Sequence, residues 1–259
     1  MREILKHSLY FWIDHLEVYL DKKEINFIDE LVTEIDEDNS CSAFIELSDI
    51  NFHYIKIAPR WYDYGYKFHM SRKQYDNVQN KDKDIIIDAF SINFTREKND
   101  YDNPRITLVL YSQLLTLYNR QKFDLITFLK QNFSFYKQTN FRRPDFCLDV
   151  WLPKKETLSY FKKFKSMISL QSDGYYQTYY TRNIQSDTNR LMVTRIYDKL
   201  SDTFRKKKWH LYTHLNHTYV NRIEVEIRKE YAQTITYNIY DLLENIHIQW
   251  AVFIKFLNK

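Results

Sequence analysis

The amino-acid sequence predicts an α+β fold, in which a twisted and mainly antiparallel sheet is flanked by helices. Short segments rich in aromatic and β-branched residues recur through the middle of the chain, which is typical of strands. Apolar residues at helical spacing occur near both ends and between some of these segments. The 259 residues are enough to bury a full core, since 44% of them are hydrophobic and 28% are charged.

The composition excludes several classes of protein. Two glycines cannot build a glycine-rich phosphate loop, and they leave left-handed turns to Asn and Asp. Cys41 and Cys147 are far apart, which disfavours a disulfide framework. The first residues lack the apolar core of a signal peptide, and no apolar run approaches 18 residues, so we expect a soluble cytoplasmic protein without a membrane span. The net charge of +4 permits an anionic partner such as nucleic acid.

The first 40 residues are expected to form a helical segment. Leu5, Leu9, Trp12, Leu16 and Tyr19 are spaced four, three, four and three residues apart, which places them on one face of a helix. Such a face would pack on the core of the protein or form the seam of a dimer.

The rest of the chain divides into an α+β domain over residues 41–235 and a C-terminal helix over residues 236–259. The strands expected in that domain cover residues 44–47, 53–57, 66–70, 85–94, 105–111, 145–151, 175–180, 191–197 and 222–228. Helices are expected at residues 112–119 and 124–133, and from Pro153 to about residue 166. The C-terminal helix is indicated by apolar residues at spacings of three and four from Leu243 to Leu257.

The strand at residues 222–228 has one apolar and one charged face. Alternation directs Ile223, Val225 and Ile227 toward the core. The residues that then share the opposite face are Arg222, Glu224, Glu226 and Arg228. A solvated sheet face with cross-strand ion pairs would also explain this pattern.

The strand at residues 145–151 places Asp145, Cys147 and Asp149 on one face. Aspartate is depleted in strands, so two on one face need a physical reason. They could belong to a charge-paired edge, or they could bind a divalent cation such as Mg²⁺, which prefers carboxylate oxygens.

The strand at residues 191–197 places Arg195 and Tyr197 on one face. A phenol with a pKa near 10 is a poor nucleophile at neutral pH, although a nearby metal or cation can favour the phenolate. Arg195 could bind a phosphate in a bidentate manner. If the three charged strands are neighbours, they form one surface with the groups needed for metal-assisted phosphodiester transesterification.

The order of these motifs resembles the replication initiation factor family, the rolling-circle initiators of small plasmids and some filamentous phages, which are related to certain conjugative relaxases. The motifs read Arg143-x-Asp145-(x)3-Asp149, then Arg195-Ile-Tyr197-Asp-Lys199, then Arg222-Ile-Glu224-Val-Glu226-Ile-Arg228. The resemblance covers roughly residues 60–232. It implies that residues 41–235 form a nicking domain, which cuts one strand at a replication origin and stays joined to the 5′ phosphate through a tyrosine.

The resemblance also implies roles for individual residues. Tyr197 would be the nucleophile, with Arg195 and Lys199 as phosphate or phenolate partners. The expected ligands of Mg²⁺ or Mn²⁺ are Asp145, Asp149, Glu224 and Glu226. The family's Gly-Ser-Arg turn is replaced here by Thr181-Arg-Asn, and Thr194 stands where some members carry a tyrosine just before the motif's arginine. These departures leave the nucleophile open, with Tyr179 and Tyr180 as alternatives. The implied partners are origin DNA with a single-stranded or cruciform nick site, a second copy in a homodimer, and a helicase.

Basic side chains near these motifs are expected to contact DNA phosphates. They are Arg143, Arg182, Arg190, Arg222, Arg228, Lys206, Lys207 and Lys208. The lysine run could equally be a solvated helix end. His210, His214 and His217 have helical spacing but no neighbouring cysteine, which disfavours a zinc site. The alternative function is that of a non-catalytic, sequence-specific DNA-binding protein, such as a degenerate initiator, which would pair its carboxylates with arginines.

Overall fold

The structure is a computed structural model that describes residues 6–20, 42–59, 63–76, 81–97, 100–135, 141–159, 167–172, 176–181, 192–205 and 220–257. The chain divides into two compact units. Unit 1 comprises Met1–Asp14, Arg143–Ile235 and Asp241–Lys259, and unit 2 comprises His15–Arg142 and Thr236–Tyr240. The predicted domain of residues 41–235 is thus divided between the two units. The fold is α+β with antiparallel strands, as the sequence predicts.

Unit 2 is an antiparallel meander with two helices. Its elements are β2 (Ser42–Leu47), β3 (Ile50–Ile57), β4 (Tyr64–Asp76), β5 (Lys81–Glu97), β6 (Asp100–Leu110), α1 (Ser112–Asn119) and α2 (Leu125–Asn132). These five strands pair in chain order. The core contains Phe52, Phe90 and Phe128, whose ring centroids lie 5.3 Å apart for Phe52 and Phe90 and 5.7 Å apart for Phe90 and Phe128. Asp124 begins α2 by accepting a hydrogen bond from the backbone N–H of Thr127 at 3.1 Å.

The turn between β2 and β3 adopts positive φ values without a glycine. Ser48 and Asp49 lie between the paired residues Leu47 and Ile50, with φ values of 51° and 61°. A two-residue hairpin turn with positive φ at both positions matches the right-handed twist of the strands. Aspartate adopts the left-handed region in this turn, as the composition predicts, and a serine does so beside it.

Unit 1 contains antiparallel strands that are covered by helices. Its remaining strands are β7 (Phe141–Val150), β8 (Met167–Ser172), β9 (Tyr176–Thr181), β10 (Met192–Asp198) and β11 (Asn221–Ile227). Its helices are α3 (Lys154–Ser159), α4 (Lys199–Arg205), α5 (Lys229–Gln233) and α7 (Ile246–Leu257), and it also contains the end of α6 (Ile239–Glu244). The strand order is β1-β7-β11-β10-β9-β8, in which β1 is Ser8–Tyr19.

The expected helical segment over residues 1–40 is wrong where it can be compared with the structure, because Ser8–Tyr19 is strand β1. Leu16, Val18 and Leu20 are buried at alternate positions, which is the period of a strand. Earlier in the strand, Ile13 and its neighbour Trp12 are both buried. A strand covered on both faces is apolar without a clean alternation, and here it imitates a helical spacing. Residues 1–5 and 21–40 of the predicted segment lie outside the described residues.

The C-terminal segment is helical, as predicted, but it forms two helices. Asn245 separates α6 from α7, and its side-chain oxygen accepts hydrogen bonds from the backbone N–H groups of His247 and Ile248 at 3.0 and 3.3 Å. This cap begins α7, whose Phe253 is fully buried with its ring centroid 5.1 Å from that of Phe11 on β1. Among the described residues, no helix is long and apolar enough to cross a membrane.

Candidate functional site

The three charged strands are neighbours in the sheet of unit 1. Strand β11 lies between β7 and β10 and is antiparallel to both. Arg222 is opposite Asp149 on one side and Tyr197 on the other, and Glu224 is opposite Arg195. Because directly opposite residues share a face of the sheet, the charged side chains form one surface. We call this surface the charged face.

Apolar residues at the alternate positions set the orientation of the charged face. Phe146 on β7 and Val225 on β11 are fully buried and opposite each other. The ring of Phe146 is stacked against Phe11, whose ring also contacts Trp250 and Phe253 of α7. Packing against α7 therefore buries the apolar face, and alternation along the strands directs the charged residues to the opposite side.

The charged face is deeply buried at one end. Arg222 has no exposed surface and donates from Nε and Nη2 to the two carboxylate oxygens of Asp149, at 2.6 and 2.8 Å. Its Nη1 donates to Asp14 of β1 at 2.9 Å, and its guanidinium lies 4.9 Å from the ring centre of Trp12. Burial opposes the charged form, but the carboxylates more than offset it, so the pKa of Arg222 is well above its ordinary value.

Three carboxylates converge on Arg195 in the middle of the charged face. Its Nη2 contacts Oε1 of Glu224, and it lies 2.8 Å from Oε2 of Glu226 and 3.7 Å from Oδ2 of Asp145. Burial again disfavours the charge, and these carboxylates reverse the effect and raise the pKa of Arg195. The side chain stays 25% exposed, whereas the three carboxylates are almost completely buried.

Two further arginines form the outer rim of the charged face. Arg143 donates from Nε and Nη2 to the two oxygens of Asp145 at 2.9 and 2.6 Å, and its Nη2 lies 3.1 Å from Glu226. Arg228 is 41% exposed and its Nε donates to Glu226. Burial favours the neutral form of Glu226, but Arg143, Arg195 and Arg228 together hold its pKa below the ordinary value.

Tyr197 is held between the buried end and the centre of the charged face. Its hydroxyl donates a hydrogen bond to Oε2 of Glu224 at 2.9 Å. Burial, with the negative charge of Glu224, raises the pKa of the phenol well above 10, so the phenol is protonated at neutral pH. Lys199 at the start of α4 lies with Nζ 5.9 Å from the ring centre and 3.8 Å from a carboxylate oxygen of Asp202.

The four predicted metal ligands are separated by this arrangement. Asp145, Glu224 and Glu226 converge, but Asp149 is engaged by Arg222 at the buried end. Mg²⁺ requires carboxylate oxygens at about 2.0–2.1 Å. The point of convergence instead contains a guanidinium nitrogen, and no group of three acidic, histidine or cysteine side chains in the described ranges is arranged to hold a metal ion. As arranged, these residues do not fit a divalent cation.

The predicted DNA contacts differ in their exposure. Arg143 and Arg228 are partly exposed at the rim, whereas Arg222 is fully buried and cannot reach a phosphate in this arrangement. Arg182, Arg190, Lys206, Lys207 and Lys208 lie outside the described residues, as do His210, His214 and His217.

The two alternative nucleophiles lie on β9, which pairs with β10. Tyr179 is opposite Ile196, so it lies on the side of the sheet away from the charged face. Nζ of Lys154 lies 4.9 Å from the centre of its ring. Tyr180 is opposite Arg195 in register.

Sequence reasoning missed two residues of this site, Trp12 and Asp14 on β1. Both contact Arg222, and Trp12 packs with Cys147 and Val220 beneath Leu200 of α4. The available signal was their spacing of two residues, which places Trp12 and Asp14 on the same face if the segment is a strand. The helical interpretation of this segment concealed it.

Comparisons with known proteins found likeness at the level of solved structures. No known protein family matches the chain, and no curated protein matches it. A solved structure described as a rolling circle replication initiator protein from Geobacillus stearothermophilus is similar over 87% of this chain and 77% of that chain. The two share 11% sequence identity, and the TM-score is 0.40.

Proposed function

We propose that this protein is a DNA strand transferase that nicks and rejoins one strand at an origin of rolling-circle replication, with Tyr197 as the nucleophile. The observation that carries the proposal is the hydrogen bond from the Tyr197 hydroxyl to Glu224, on a face with several arginines. The order of the motifs on β7, β10 and β11, which resembles the replication initiation factor family, supports the same function.

The proposed step is an in-line displacement at the scissile phosphodiester. The Tyr197 oxygen forms a bond to phosphorus, the bond to the 3′ oxygen breaks, and the 5′ phosphate remains joined to the tyrosine. The phenol is protonated at neutral pH because its pKa is raised, so its proton has to leave during the attack. Glu224 accepts the hydrogen bond of this hydroxyl and is the group placed to take the proton, while the 3′ oxygen takes one from water.

Arginines would stabilise the charge that develops on the phosphate. Arg195 is partly exposed and adjacent to Glu224, the partner of the attacking hydroxyl. Arg143 and Arg228 at the rim would bind flanking phosphates, which is the role of guanidinium groups at phosphate sites. Origin DNA is the proposed substrate, in a single-stranded or cruciform form, and a homodimer, a helicase partner and a cytoplasmic location belong to the same proposal.

The experiment uses a pool of supercoiled circles that carry segments of the DNA surrounding the gene of this chain. Nicked circles and a covalent adduct that survives denaturing electrophoresis are expected with the wild-type chain in Mg²⁺, and a parallel reaction in EDTA measures the metal dependence. Tyr197→Phe should abolish both products, whereas Tyr179→Phe, on the other side of the sheet, should leave them unchanged. An adduct that persists in Tyr197→Phe would contradict the assignment.

A second candidate function is non-catalytic DNA binding. It is favoured by the pairing of every predicted metal ligand with an arginine or the tyrosine. This function predicts binding to the origin segment that weakens with salt, with neither nicking nor an adduct in Mg²⁺. The same pool of circles therefore separates the two candidates.

A further inference from the structure

The centre of the charged face has the composition of a cation site. Three carboxylates from two strands direct oxygens toward one point, and all three are nearly inaccessible to water. Buried carboxylates require a positive partner, because the cost of removing them from water exceeds what neutral hydrogen bonds return. The positive partner at this point is Nη2 of Arg195.

We propose that the guanidinium of Arg195 is the resident cation of this carboxylate cluster and excludes divalent ions from it. The inference does not depend on the proposed nicking activity, because it concerns only the occupancy of the cluster formed by Asp145, Glu224 and Glu226.

Charge balance supports the exclusion. The three carboxylates face three guanidinium groups, those of Arg143, Arg195 and Arg228. A divalent ion added to this set would leave two uncompensated positive charges beside three buried carboxylates that are already neutralised, which is unfavourable. Entry of a metal therefore requires that an arginine leave.

Geometry identifies Arg195 as the group that would have to leave. Its Nη2 is the atom on which the three carboxylates converge, whereas Arg143 and Arg228 contact the cluster from the rim. The bonds of Arg195 are also incompletely formed, since its buried Nε has no hydrogen-bond partner. Its displacement would therefore sacrifice the contacts of one nitrogen and leave the outer arginine pairs in place.

Titration with Mn²⁺, followed by the electron paramagnetic resonance signal of the free ion, tests the proposal at low salt and pH 8. The wild-type chain and Glu226→Gln should behave alike, because neither has an open site. Arg195→Gln should gain a site whose affinity for Mn²⁺ is at least about tenfold higher than that of the wild-type chain. The reason is that the charge-assisted hydrogen bonds from Arg195 to the carboxylates no longer compete with the ion. Adding Glu226→Gln to Arg195→Gln should remove that site.

The matched control is Arg72→Gln, which removes the same charge from strand β4 of unit 2 and should not change Mn²⁺ binding. The proposal is overturned if wild type binds Mn²⁺ at a site that Glu226→Gln abolishes, or if folded Arg195→Gln gains no site. If circular dichroism shows that Arg195→Gln is unfolded, the comparison of wild type with Glu226→Gln decides: equal binding supports the exclusion, and a Glu226-dependent site refutes it.

Discussion

Replacing Asp149 by asparagine is expected to lower the free energy of unfolding by about 3–5 kcal/mol, the range for breaking a buried ion pair from one side. The change removes the charge that receives two hydrogen bonds from Arg222, at 2.6 and 2.8 Å. Arg222 then keeps its hydrogen bond to Asp14 but loses its bidentate carboxylate partner, while remaining completely buried. A loss of this size is a large fraction of the 5–15 kcal/mol that is typical of a folded protein.

Urea denaturation followed by tryptophan fluorescence measures the effect, because the ring of Trp12 lies against the Arg222 guanidinium. The double variant Arg222→Met with Asp149→Leu should be more stable than Asp149→Asn, since it leaves neither partner of the pair buried and uncompensated. The control Arg142→Gln, which removes a partly exposed ion pair with Glu17, should cost less than about 1 kcal/mol.

If Asp149→Asn costs no more than the exposed control, the buried pair does not stabilise unit 1 as argued. If the double variant is less stable than Asp149→Asn, packing rather than charge compensation controls this end of the charged face.

Three further predictions concern other sites. The pKa of Glu226 is lowered in the folded state. The stability that this carboxylate contributes is therefore complete above its ordinary pKa of about 4.3 and is lost as pH falls through the folded-state pKa. Glu226→Gln should make the free energy of unfolding fall less steeply with decreasing pH. Burial raises the pKa of the Cys147 thiol, so in a Cys41→Ser background a thiol reagent should label Cys147 only in denaturant, and rapid native labelling would show that the site opens. Gly65→Ala should lower the melting temperature, because the added Cβ would lie 2.4 Å from Oδ1 of the buried Asn93 and 2.9 Å from the backbone oxygen of Ile92. An unchanged melting temperature would show that both neighbours move aside without cost.

Much of the fold was predictable because most strands and helices have one dominant period. Strand β11 alternates charged and apolar residues from Arg222 to Ile227, apolar residues flank Asp149 on β7, and Ile196 separates Arg195 from Tyr197 on β10. The helix α2 has both a capping aspartate and an apolar face that includes Leu125 and Leu129. In these segments, local geometry and burial favour the same structure, so the pattern can be interpreted without knowing the neighbours.

Strand β1 was not predictable in the same way, because both of its faces are covered over part of its length. Phe11 packs with Phe146 and Phe253 on one face, while Trp12 packs beside Cys147 on the other. Its apolar residues therefore reflect two different environments, neither of which is visible in the spacing. Because this segment was interpreted as a helix, Asp14 was not predicted to belong to the charged face.

The partners of the carboxylates also could not be predicted from the sequence. Their positions on one face follow from strand alternation, but their partners depend on the register between strands. Pairing of Glu224 with Cys147 on one side and Arg195 on the other brings the Arg195 guanidinium over the acidic residues. A shift of one residue would place apolar side chains there instead.

By itself, the sequence determined which residues of β7, β10 and β11 share the charged face, because side chains alternate along any strand regardless of what surrounds it. Only the tertiary structure decided that the carboxylates of this face are buried, that arginines neutralise them, and that Tyr197 donates to Glu224. These features depend on strand order and on the helices above the sheet. Burial and charge pairing on this face are produced by residues that are distant in the chain. Desolvation and charge pairing between distant residues leave no pattern in the local sequence.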